Sequence, residues 1–84
     1  MFINKAPNGK NNICGKNIYL IRKQMKISQR KLAVLMQVAG IDIDKNAIQR
    51  IEAGKRFVTD IEFVAFAKIL NISLDKLLSN SNID

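Results

Sequence analysis

Lys45, Asn46, Gln49 and Arg50 stand close together in the chain, and their side chains are rich in hydrogen-bond donors. Ammonium, guanidinium and carboxamide groups suit the edges of guanine and adenine and the oxygens of phosphate. The chemistry on offer is therefore recognition of a polyanion with readable edges. The same four groups would equally furnish an ordinary solvated helix face, so what positions them matters. Ile48 and Ile51, with Ala47 beside them, fall on the opposite side of a 3.6-residue period. A helix from Asp44 to Ala53 would thus have an apolar back and a polar front, with Gly54 ending it.

Other chemistry is thinly represented. Histidine is absent and Cys14 is the only cysteine, which removes the commonest general base and gives no metal cluster and no internal disulfide. Ser28 and Lys31 have the S-x-x-K spacing of one class of serine acyl enzymes, but the further motifs that chemistry requires are missing. A helix cap accounts for Ser28 without extra assumptions. Glu62 belongs to a T-x-x-E capping box with Thr59. We therefore expect no catalytic residue, no metal site and no cofactor.

The elements that hold the polar face in place follow from periodicity. Pro7 and Gly9 break any helix near the start, so residues 1 to 14 read as a flexible basic tail. A first helix is expected from about Lys16 to Lys26, with Ile18, Ile21 and Met25 on one side. Ser28 starts a second, whose Leu32, Leu35 and Met36 share a face. After Gly54, Phe57 and Val58 should turn inward. Thr59 opens a fourth helix from Asp60 to about Leu70, apolar all round and thus expected at the centre of the core, with Phe63 or Phe66 left over for a partner. Ser73 caps a short fifth helix, Leu74 to Leu78, and residues 79 to 84 form a frayed tail. The domain itself spans 15 to 78, all-α with five helices.

With 84 residues and 48% hydrophobic content, the chain suffices for one small core. Net charge is +7 and the isoelectric point is near 9.9, which points to a polyanionic partner. Residues 1 to 41 hold eight Lys or Arg and no acid, whereas residues 42 to 84 hold six bases against seven acids. No apolar run approaches the roughly 18 residues of a membrane span, and the start lacks an apolar signal core. A cytoplasmic protein that meets nucleic acid rather than membrane is the simpler expectation.

Three separately spaced blocks then resemble the Cro and phage-repressor (XRE-like) helix-turn-helix family: Arg22 with I-S-Q-R-K-L-A ending at Ala33, A-I-Q-R-I-E-A-G-K-R from Ala47 to Arg56, and A-K-I-L-N-I-S-L-D-K-L-L from Ala67 to Leu78. The resemblance covers about residues 16 to 78. It implies a lambda-repressor-like DNA-binding domain that regulates transcription, a repressor by expectation, on double-stranded DNA and as a homodimer. Helix 44 to 53 would read the major groove, with Lys45, Asn46 and Arg50 at the usual base-contacting positions and Gln49 on the same face. Gln29 matches a phosphate-clamping position, and Lys31, Lys55 and Arg56 are further phosphate candidates. The resemblance also implies a structural ion pair between Arg22 and Glu52. One departure stands out. Between Ala33 and Ile48 the segment M-Q-V-A-G-I-D-I-D exceeds the family's tight turn, so a longer connection inside the helix-turn-helix is expected.

The rival reading is an antitoxin or accessory module that mainly grips a protein partner through its fourth and fifth helices. RNA is a weaker candidate, because Phe2, Tyr19, Phe57, Phe63 and Phe66 are not interleaved with the basic faces as base-stacking platforms require.

Overall fold

The computed structural model describes residues 9 to 79; Lys5 and the rest of residues 1 to 8, and residues 80 to 84 of the expected end tail, lie outside the described residues. Five helices follow in order: α1 Gly15–Gln24, α2 Gln29–Val38, α3 Lys45–Glu52, α4 Asp60–Ile69 and α5 Leu74–Leu77. No strand occurs among the described residues.

Local chemistry sets where each helix starts. Ser28, Asp44, Thr59 and Ser73 each accept a hydrogen bond from the backbone N–H three residues ahead, satisfying donors a helix start leaves unpaired. At Thr59 the capping box is complete, since Glu62 Oε1 also accepts from the Thr59 N–H. α1 has no such cap on Cys14. Instead Asn12 Oδ1 accepts from Gly15 N at 2.8 Å.

The first four helices end alike. Lys26, Gly40, Gly54 and Asn71 all have positive φ, and each is bracketed by the paired backbone bonds of a Schellman turn, such as Gly40 N to Gln37 O and Ile41 N to Met36 O. The residue after three of these turns is Ile27, Ile41 or Ile72, and all three pack against the core. α1 therefore stops at Gln24, before the expected Lys26, because Lys26 adopts the left-handed conformation that reverses the chain.

α3 packs on α1 and α2, and α4 packs on α2 and α5. Ile18, Leu32, Met36, Ile48, Ile51, Phe66 and Leu77 fill the centre with essentially no exposure. Burying an aliphatic or aromatic side chain of this size contributes about 1.5 to 3 kcal/mol. The connection of residues 39 to 44 adds Ile43 to this core, and Gln37 Nε2 donates to its carbonyl at 2.9 Å. Of the additional segment read from the sequence, Met36 to Val38 continue α2 and the rest forms this braced loop.

Several expectations require correction. Phe66 is fully buried and unavailable to a partner, while Ile61 and Val64 of the same helix are exposed, so α4 buries one side only. Phe57 is half exposed and only Val58 packs inward; Met25 is 42% exposed. The segment read as a tail is docked at its inner end. Asn11 N donates to Gly54 O, and Asn12 Nδ2 donates to the carbonyls of Ile51 and Arg56 at 3.0 and 2.8 Å.

Candidate nucleic-acid interface

α3 is capped by Asp44, whose carboxylate accepts from Ala47 N at 2.8 Å. Ile48 and Ile51 are wholly buried against α1 and α2, which fixes the helix about its own axis. Lys45, Asn46, Gln49 and Arg50 consequently all point to solvent. At 100° per residue they span an arc of about 140°. None of the four side chains has a hydrogen bond or ion pair among the described residues. Their donors are thus held ready rather than committed inside the protein.

A buried charge network sets the pose of this helix. Arg22 Nε donates to Glu52 Oε2 at 2.7 Å and its Nη2 donates to Oε1 at 3.0 Å, with both side chains less than a tenth exposed. Arg22 Nη1 also donates to the carbonyl of Ile27, in the turn before α2, at 3.0 Å. Hydrogen bonding to Glu52 raises the affinity of the guanidinium for its proton further. Gln29 joins the network, its Nε2 donating to Glu52 Oε1 at 3.0 Å. The carboxylate at the end of α3 is therefore tied to α1 and to the start of α2 at once. Gln29, expected to clamp a phosphate, here braces Glu52 with one of its amide hydrogens.

The other expected phosphate contacts separate. Lys31 and Lys55 are exposed, and Lys55 follows the end of α3. Arg56 differs from that expectation. Its two terminal nitrogens donate to both oxygens of Glu62 at 3.0 Å, and one also donates to Phe57 O. The bidentate geometry explains the commitment, because a planar fork facing a carboxylate makes two charge-assisted bonds. Arg56 holds the Glu62 carboxyl below its usual range, with the Thr59 N–H helping. Arg56 thus serves the α3 to α4 junction.

Lys23, Lys26 and Arg30 carry no motif that singles them out in the sequence. They line an open recess of about 590 Å³ with Lys45, Ser28 and Gln29, beside the start of α3. No acidic side chain lines it. The signal was present in the acid-free front half of the chain, but only folding brings the α1 to α2 turn alongside Lys45. Asn12 is not singled out either, because nothing in a polar leader announces that one carboxamide will bridge Gly15, Ile51 and Arg56. Ser28 Oγ accepts from Lys31 N at 2.9 Å, so the S-x-x-K spacing is a cap in this fold.

A family model described as helix-turn-helix matches residues 18–77, most of the chain. The chain belongs to the Cro and phage-repressor (XRE-like) helix-turn-helix family. No curated protein and no solved structure matches it significantly. This helix-turn-helix domain is a DNA-binding domain of transcription regulation. No helix among the described residues is long and apolar enough to cross a membrane, and no acidic, Cys or His group there could hold a metal ion.

Proposed function

We propose that the domain is a sequence-specific repressor that reads the major groove of double-stranded DNA with α3 and binds as a homodimer. The observation that carries this reading is the set of four outward side chains without internal partners on a helix locked from behind by Ile48, Ile51 and the Arg22 to Glu52 network. Lys45 and Arg50 have the donors for guanine O6 and N7, and Asn46 has the paired donor and acceptor for adenine; Gln49 shares their face. Lys31 and Lys55 are the phosphate contacts, joined by Lys23, Lys26 and Arg30 from the basic recess. One such helix covers only a few base pairs, so two copies would occupy half-sites about 34 Å apart, on an operator with approximate two-fold symmetry. Occupying such a site would repress by excluding other proteins.

The test is selection of bound duplexes from a random pool at several salt concentrations. The reading requires a symmetric consensus to emerge, with affinity falling steeply as salt rises. Equal retention of all sequences, or of none, would sink it. A protein-binding module of the antitoxin kind is the second reading, favoured by Ile61 and Val64, which stand exposed on α4.

A further inference from the structure

We propose that the outer face of α4 docks a second copy of this chain, with the two α4 helices antiparallel across a two-fold axis. This names the interface for the homodimer proposed above and rests on that part of the reading. Ile61, Val64, Ala65 and Lys68 recur at i, i+3, i+4 and i+7, one stripe along the helix. Ile61 is 68% and Val64 39% exposed, although both are branched aliphatics. The stripe borders an open recess of about 630 Å³ whose other wall carries Ala39 and Ile41.

The charges at its two ends choose the occupant. Asp60 begins α4 and Lys68 lies two turns on, about 12 Å away at 1.5 Å per residue. Neither has an ion-pair partner among the described residues. The helix dipole accounts for an acid at the start and a base near the end, but not for the exposed aliphatics between them. With Val64 facing Val64 across the axis, residues equally far before and after it come level in an antiparallel pair. Asp60 of each copy then meets Lys68 of the other, and two ion pairs bracket an apolar seam. A parallel pair would set acid on acid and base on base. Ala65 adds little bulk to the seam and allows close approach. The surface is thus self-complementary, as an isologous contact requires, whereas a partner of single charge would match only one end.

None of the four outward α3 residues lines this recess, so pairing leaves them free. A ten-residue helix makes a small contact, in the range of weak interfaces, so association depends on concentration. Sedimentation equilibrium on the full chain tests it, alongside circular dichroism to confirm helicity. Wild type should dimerise reversibly, and Ile61→Glu, whose side chain is outside the core, should be monomeric. Asp60→Lys and Lys68→Asp should each weaken the dimer about tenfold or more, because like charges then meet. The double exchange Asp60→Lys/Lys68→Asp, and an equal mixture of the two single variants, should restore it. A wild type that stays monomeric at every concentration overturns the proposal. So does a dimer indifferent to Ile61→Glu, or a folded double exchange that pairs no better than the single variants. Binding to a half-site duplex, measured separately, reports on the reading helix. Ile61→Glu should keep that affinity and lose only cooperative filling of two half-sites.

Discussion

Gly15, the first residue of α1, lies directly against the main-chain oxygen of Ile51 in α3, leaving no space for a side chain. A Cβ built there would overlap that carbonyl and crowd Asn12 Oδ1. Because the obstacle is backbone, only a shift of one whole helix could relieve it. Gly15→Ala should therefore destabilise the fold, despite the better helix propensity of alanine, by about 1 to 3 kcal/mol as overpacking does. Urea denaturation provides the comparison. A variant as stable as wild type would show that the two helices are less closely coupled than this.

The Arg22, Gln29 and Glu52 cluster leads to a second expectation. Glu52→Ala strands a buried guanidinium and should cost roughly 3 to 5 kcal/mol. Arg22→Met/Glu52→Leu, which removes both charges, should recover much of that loss. A double variant as unstable as the sum of the single changes would rule out pairing as the cause.

For Arg56 and Glu62 the expectation concerns pH. Paired with Arg56, the folded carboxyl titrates below its ordinary value of 4.5. The unfolded chain therefore takes up this proton first as pH falls, and native stability drops with it. This contribution is complete above about pH 4.5 and drains away as pH falls through the folded value. Glu62→Gln should flatten that part of the acid stability curve and cost about 1 kcal/mol near neutrality through the weakened cap and the partly buried ion pair. Thermal melts across the acid range will show whether the slopes differ.

On DNA, Arg50→Ala should lose about 1 to 3 kcal/mol on the preferred site and relax one base pair of the consensus. Lys55→Ala should instead weaken all duplexes alike and reduce the salt slope by about one. Arg56→Ala should chiefly lower the melting temperature and leave that slope intact. Titrations at several salt concentrations separate the three. A uniform loss from Arg50→Ala would make it a phosphate contact.

Elements that depend on near neighbours were legible in the sequence. Ser28, Thr59 and Ser73 announce helix starts through groups three residues away, and the Ile48 and Ile51 spacing gives the buried side of α3. What escaped depends on distant partners. Asn17 is buried because the carbonyls of Leu77 and Ser79 come to meet it. Arg56 resembles a free loop cation until the fold places Glu62 before it. Phe66 and Ile61 are both apolar residues of one helix, and only the packing of α2 and α5 decides which is covered.

The loop from residue 39 to 44 gains significance from its ends. It leaves α2 through the Gly40 turn, drops Ile43 into the interior and enters α3 at the Asp44 cap. The scaffold thus orients α3 without help from Lys45, Asn46, Gln49 or Arg50. Those positions resemble interchangeable type in a printer's frame: altering the letters changes the text that is read while the press still closes.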